Sequence, residues 1–317
     1  MELVECVPNI SDGRRIEVVD ACARAVRVTP GIRLLDRTSD PDHDRSVLTF
    51  AGSPDAVMDA MRALATEAVA RIDLRHQHGH HPRIGALDVA PFVPVGDTPM
   101  RTCVELAETF GAWLADRYRM PVYLYARAAR RADRVVLADI RRPAFEGLAD
   151  ALARSDGAPE LGPSRAHPTA GATVTGARPF LVAWNIQLAS RDLPLAQDIA
   201  RRIRERDGGL PAVQALGIPL ETLGCVQVSM NLLDVERTPM WRVLDRVTEL
   251  ASAAGVEVMD TELIGFAPLR AFQDVADHAG IDAALDPRQR VLAAARWLRI
   301  RAARPDLALE IRLEGDR

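Results

Sequence analysis

The chain of 317 residues contains no lysine; its Lys+Arg count of 40 is arginine throughout. That absence excludes a lysine Schiff base and a phosphate-loop lysine. Arginine offers instead a planar fork suited to carboxylates and phosphates, although a GC-rich genome that avoids lysine codons is the plainer account of the bias. Cysteine is scarce. Cys6, Cys22, Cys103 and Cys225 lie far apart with no CxxC pair, so neither a disulfide framework nor a zinc site is expected, and a reducing cytoplasm is the expected compartment. A net charge of −4 supplies no basic field for a nucleic-acid backbone, so no nucleic-acid partner is expected. No apolar run reaches the roughly 18 residues of a membrane span, and the start, Met1-Glu2-Leu3-Val4-Glu5, lacks the basic and apolar regions of a signal segment.

What is present is patterned. Met1 to Asn9 alternates as a strand, Ser11-Asp12-Gly13 breaks it, and Ile16, Val19, Cys22 and Val26 recur at helical spacing. Strands at Ile32 to Leu35 and Ser46 to Phe50, a helix from Ala56 to Ile72 and a strand from Ala86 to Val95 complete a βαββαβ order, the split βαβ arrangement of ferredoxin-like domains. The second half repeats it: strand Phe180 to Leu188, helix Leu195 to Glu205, strands Val213 to Ile218 and Cys225 to Leu233, helix Met240 to Ala253, strand Val256 to Leu263. Thr238-Pro239 reads as an N-cap followed by a proline at the first helical position. Between the halves come a helix from Thr102 to Tyr118, a strand from Val122 to Tyr125, and a Gly-, Pro-, Ser- and Thr-rich segment, Ser155 to Arg178, read as a linker or active loop. The last helix, Arg288 to Ala303, has a stripe of Val291, Leu292, Ala295, Leu298 and Ala302, which suits core packing or the seam of a homodimer. The fold class expected is α+β, with two ferredoxin-like subdomains at 1–178 and 179–317.

Four of the seven histidines, His76, His78, His80 and His81, fall within six residues between a helix and a strand. Imidazole takes and returns a proton near neutral pH, as group transfer between amines requires. Pro82 biases His81 toward an extended backbone, which helps to fix its ring. Two other readings stand beside this one: a solvated polar loop, and a metal-dependent hydrolase in which His78 and His80 join Asp42 and His43 of the segment Asp40 to Asp44. No strict zinc motif is present. The stretch from Gly162 to Arg178, which begins Gly162, Pro163, Ser164, Arg165, Ala166, His167, Pro168, Thr169, Ala170 and Gly171 and continues through Ala172 to Ala177, reads as a loop whose glycines would let backbone approach a flat ligand. It lacks the GxGxxG pattern of a dinucleotide fold. Arg45, Arg83 and Arg178 are candidates to grip carboxylates, though surface charge is the commoner role. Asn185 and Asn231, amides within apolar strands, need partners that a ligand or the fold could supply.

Four words in register resemble the glutamate formiminotransferase family: Leu3 to Ser11, His81-Pro82-Arg83-Ile84-Gly85-Ala86-Leu87-Asp88, Gly171 to Arg178, and Gln227 to Asp234. The resemblance runs from Met1 to about Phe272. It implies two ferredoxin-like subdomains with facing sheets and a ligand cleft between them. It matches His81 to the family's catalytic histidine and Gly162 through Gly171 to its folate-binding loop. It implies transfer of a formimino group from N-formimino-glutamate to N5 of tetrahydrofolate, a step of histidine catabolism and one-carbon metabolism. Tetrahydrofolate is then a co-substrate, and no metal is expected. Asn9, Arg45, Arg83, Arg178, Asn185 and Asn231 form the candidate substrate-binding set. A related folate enzyme acting on 5-formyl-tetrahydrofolate or another amine is the alternative within the family. Where animal members carry an aromatic, this chain has Ala170, and Thr38 to Asp44 departs from the animal pattern while Arg45 matches. The animal proteins continue into a cyclodeaminase domain, an activity not expected of these 317 residues.

Overall fold

A computed structural model describes residues 2–315; Met1, expected to open the first strand, and Asp316 and Arg317, at the end of the expected second subdomain, lie outside the described residues. The chain divides into two compact units, Met1–Pro179 and Phe180–Arg317.

The first unit runs β1 (Leu3–Cys6), β2 (Asn9–Ile10), α1 (Ile16–Arg27), β3 (Ile32–Asp40), β4 (Arg45–Gly52), α2 (Pro54–Arg71), β5 (Leu87–Val95), α3 (Met100–Tyr118), β6 (Val122–Ala126), α4 (Leu137–Ile140), α5 (Leu148–Ala153) and β7 (Thr173–Ala177). The expected opening strand is two short ones, interrupted at Val7-Pro8, where proline has no N–H to give a ladder. β3 is longer than expected. Its polar end, Asp36 to Asp40, hides the alternation but pairs with β4 residue by residue, past an irregularity between Leu34 and Asp36. β4 pairs in turn with β1 and β2, which both pair antiparallel with β5. Beyond β5 the sheet continues through β7 to β6 in parallel.

The expectation that Ser155 to Arg178 is wholly loop is corrected by β7. Thr173–Ala177 is buried throughout. Flanked by β5 and β6, it needs no polar face, so the alternation that reveals a half-exposed strand is missing. α1, α2 and α3 cover one sheet face, burying Val19, Phe50, Met61, Leu64, Phe92 and Phe110 in one core. α2 starts cleanly: Ser53 Oγ accepts from Ala56 N–H at 3.4 Å and Pro54 opens the first turn. On the opposite face, Tyr123, Tyr125, Val89 and Val174 pack with Ile140, Leu148 and Leu152 of α4 and α5.

The second unit runs β8 (Val182–Leu188), α6 (Leu193–Ile203), β9 (Val213–Leu220), β10 (Cys225–Leu232), α7 (Met240–Ala253), β11 (Val258–Ile264), α8 (Leu269–His278), α9 (Pro287–Trp297) and α10 (Leu309–Glu314). Its antiparallel sheet has the order β11-β8-β10-β9, so β10 separates the two strands that α6 connects. Trp184, Ile186, Leu188, Val226, Val228 and Met230 face the helices. By period-two alternation, Asn185, Gln187, Gln227, Ser229 and Asn231 face the other way. Thr238 is not an N-cap. Its Oγ1 donates to Pro211 O at 2.6 Å, and Pro239 occupies the cap position of α7. The true capping box is Asp286-Pro287-Arg288-Gln289 at α9, where Asp286 accepts from Gln289 N–H and the Gln289 side chain accepts in return. α9 ends at Trp297, short of Ala303, and Val291, Ala295 and Leu298 of the stripe lie in the second unit's core. Cys6, Cys22, Cys103 and Cys225 are buried thiols, and burial pushes Cys22 and Cys103 up to about 12. No helix among the described residues is long and apolar enough to cross a membrane.

Candidate active site

The histidine segment is held from two sides. On one side it lies on the turn between β3 and β4. His80 N–H donates to Asp42 O at 3.2 Å, and Gln77 Nε2 donates to Asp44 O at 2.7 Å. Gly79 permits this approach, because a Cβ there would stand 2.0 Å from His43 O. On the other side the chain is laced to the segment before β7. Leu74 N–H donates to Thr169 O at 2.9 Å, Ala86 N–H to Ala170 O at 3.0 Å, and Ala172 N–H to Ile84 O at 2.9 Å. The loop is therefore less free than its polar composition suggests.

His81 is half-buried, with its ring 5.8 Å from that of buried His43. Its Nδ1 lies 2.9 Å from Pro82 O. A carbonyl only accepts, so this contact assigns the proton to Nδ1 and leaves the Nε2 lone pair available. Desolvation first, then the positive charges of Arg45 and Arg141, hold the imidazole well below its ordinary pKa. His43 is lowered too, mainly by burial, with Asp40 opposing. At neutral pH His81 is an unprotonated base.

Next to it lies a buried ionic group. Asn9 and Ile10 of β2 pair with Val89 and Leu87 of β5, leaving Asp88 as the extra residue of a bulge. Bulges re-aim side chains. Asp88 is fully buried, and its Oδ2 accepts from Arg45 Nη1 at 2.8 Å and Arg141 Nη2 at 2.5 Å, while Oδ1 accepts from Ile84 N–H at 2.8 Å. Burial raises the carboxyl, but Arg141, Arg45 and the Ile84 amide outweigh it, and the net shift is downward. Arg45 also gives Nε to Asn9 Oδ1 at 2.9 Å, and burial lowers its pKa to about 10.

Sequence reasoning singled out Arg45 and Asn9 but neither Asp88 nor Arg141. A charge inside the apolar run Ala86-Leu87-Asp88-Val89-Ala90 was the available signal for Asp88. Arg141 had none in a chain this rich in arginine.

Arg83 is buried and fully engaged: it hydrogen-bonds Gln77 through Oε1 and the backbone carbonyl, and takes Glu146 in a fork at 2.8 and 3.0 Å. Arg178 lies at the end of β7, donates to Pro179 O at 3.1 Å and hydrogen-bonds buried Tyr125. The Gly162 to Gly171 loop closes by a pair of backbone bonds between His167 and Gly171, at 2.8 and 3.1 Å. His167 Nδ1 accepts from Ala170 N–H at 3.0 Å, and burial lowers the His167 pKa. Gly162 and Gly171 have positive φ, and a Cβ on Gly171 would meet Ile84 O at 2.1 Å. Ala170 is fully buried in the core beneath the helices, so its side chain faces away from the loop's solvent side. In the second unit, buried Asn185 donates to Glu262 at 3.2 Å, and Asn231 is half-buried on the same sheet face. The two segments of the metal-hydrolase reading do meet, at His80 and Asp42. Among the described residues, however, no group of three or more His, Cys, Asp or Glu side chains could hold a metal ion.

A neutral histidine beside arginines on an α+β frame is an arrangement that can accept a proton next to an anionic group. Comparison with known proteins gives it a lineage. Residues 3–178 match the formiminotransferase domain, N-terminal subdomain, and residues 183–285 match the formiminotransferase domain. The glutamate formimidoyltransferase of Thermoplasma acidophilum is 41% identical over 280 residues, 88% of this chain and 92% of that protein. That of Streptococcus pyogenes serotype M1 is 38% identical over 277 residues, 87% and 93%. The formimidoyltransferase-cyclodeaminase of Sus scrofa is 44% identical over 280 residues, 87% of this chain but 52% of the relative, so the chain spans about half the length of that relative. The chain belongs to the formiminotransferase family.

Proposed function

We propose that the protein is a glutamate formimidoyltransferase, moving the formimino group of N-formimino-L-glutamate to N5 of tetrahydrofolate and yielding 5-formimino-tetrahydrofolate and glutamate. Family membership supports the reaction class. The observation that carries the chemistry is His81, kept neutral with its Nδ1 proton engaged by Pro82 O.

The reaction needs one proton removed and one supplied. As N5 bonds to the formimino carbon, its proton passes to Nε2 of His81. As the carbon–nitrogen bond to glutamate breaks, the same proton goes to the departing amine. One shuttling imidazole meets both demands, and holding two substrates together removes much of the entropic barrier. The loop from Gly162 to Gly171 takes the folate. Arg45 and Arg178 serve the carboxylates with Asn9, Asn185 and Asn231 as amide partners, while Arg83, committed to Glu146, fixes the His81 segment. The strand order β11-β8-β10-β9, and its counterpart β5, β1 with β2, β4 and β3, support a ferredoxin-like reading of both subdomains.

Incubating purified protein with tetrahydrofolate and formimino-glutamate should give 5-formimino-tetrahydrofolate. Absence of product, with folate binding intact by calorimetry, would overturn the assignment of the donor. His81→Ala should fold, bind folate and lose turnover; near-normal rates in that variant would remove the acid–base role.

A further inference from the structure

The ionic group around Asp88 is unbalanced. One carboxylate faces two guanidiniums, so the trio carries a net positive charge in a buried place. Asp88 is the only hydrogen-bond partner of the Arg141 guanidinium among the described residues, and its Nε has none. Arg45 spends Nε on Asn9 and Nη1 on Asp88, which leaves Nη2. Two like charges drawn to one carboxylate repel each other where water screens weakly, and a second anion would relieve that repulsion. Guanidinium edges held side by side suit a planar carboxylate, which both can donate to.

We infer that Arg45 and Arg141, held in register by Asp88 at the β-bulge, form a seat for a substrate carboxylate beside His81. Asp88 is the positioning residue, and Arg45 and Arg141 touch the ligand. The identity of the carboxylate rests on the transfer reaction proposed above. Both substrates carry carboxylates, the α and γ groups of the donor and those of the glutamyl tail of folate. The donor's α-carboxylate is on the carbon that bears the leaving nitrogen, whereas the folate tail is remote from N5, and the seat acts electrostatically on His81. The donor's carboxylate is therefore the one assigned.

Arg141→Gln tests this, with Arg142→Gln, an exposed neighbour paired with Asp139, as control. Arg141→Gln should raise KM for formimino-glutamate by about tenfold or more, leave KM for tetrahydrofolate within about twofold, and remain folded by circular dichroism at the assay temperature. Arg142→Gln should change neither KM. The same donor penalty should appear with tetrahydropteroate, which lacks the glutamyl tail. A penalty on KM for tetrahydrofolate that disappears with tetrahydropteroate would keep the carboxylate seat and move its occupant to the folate tail. Calorimetry with free glutamate separates the seat from the reaction. If wild type turns nothing over yet binds glutamate, and Arg141→Gln weakens that binding about tenfold, the seat stands while the reaction falls. Unchanged KM values together with unchanged glutamate binding, or glutamate binding to neither protein, would overturn the seat.

Discussion

His81 holds its proton on the nitrogen that faces Pro82 O, so the nitrogen with an open lone pair is Nε2, and its protonation state follows the surrounding charge. Desolvation and the guanidiniums of Arg45 and Arg141 all disfavour the imidazolium. The acid limb of kcat/KM should therefore lie below the ordinary histidine value of about 6.5. Removing one of the two cations raises the imidazole's affinity for protons. Arg141→Gln should accordingly move the limb upward, and by more than the exposed Arg142→Gln. A pH–rate profile of the three proteins decides the matter: a limb at or above the ordinary value, or one indifferent to Arg141, would contradict this electrostatic account. His81→Gln keeps a polar side chain of similar reach but has no basic nitrogen, and its rate should fall by about two to four powers of ten.

At the scale of elements, the site depends on a segment pinned between two others. The stretch from Leu74 to Ala86 has almost no regular structure of its own, yet it is bonded to the β3–β4 turn through Gln77 and His80 and to the pre-β7 loop through Leu74, Ile84 and Ala86. Gly79 is the point of closest approach. Gly79→Ala places a methyl 2.0 Å from His43 O, and neither backbone can yield without breaking these bonds. The variant should lose about 1–3 kcal/mol of stability and more than tenfold in kcat, because His81 moves with the segment. Denaturation curves and steady-state rates measure both, and wild-type kcat in a folded Gly79→Ala protein would show that the packing does not set the ring's position. Most helices and outer strands of both units were legible, because each presents one apolar face with the period of its element. The interior strand β7 was not, since Thr173–Ala177 is buried on every side and alternates nothing. The histidine cluster announced itself by composition, and the family words narrowed it to His81. What those words could not supply was the bulge that turns Asp88 toward Arg45, or the path of the chain that delivers Arg141 from a separate short helix. Both are consequences of tertiary pairing rather than of local pattern.

For the whole molecule, the titrating groups are distributed unevenly. His43, His81 and His167 are all lowered by burial, and all three belong to the first unit, as does Asp88. A histidine lowered in the folded state takes up its proton more readily when unfolded. As pH falls below about 6.5, the unfolded chain binds protons that the native one declines, and stability drops until the folded value is reached. Above that window the contribution is fully present. Each such histidine can add at most about 1.4 kcal/mol per pH unit within it, and solvent screening reduces that figure for the partly exposed rings of His81 and His167. Asp88, also lowered, adds a separate loss at more acid pH: its stabilisation is complete above the unfolded carboxyl value and fades as pH falls through the folded one. Acid should therefore loosen the first unit in two stages, starting with the histidines. Hydrogen exchange at pH 7.5, 6.5 and 5.5, corrected for intrinsic rates, should show protection falling first in β2, β4 and β5 around the site, with the β8–β10 ladder less affected. A His43→Phe variant, which keeps a ring but cannot titrate, should flatten the first stage. Equal loss of protection in both units, or an unchanged slope in His43→Phe, would mean that the acid response comes from groups other than those packed around His81.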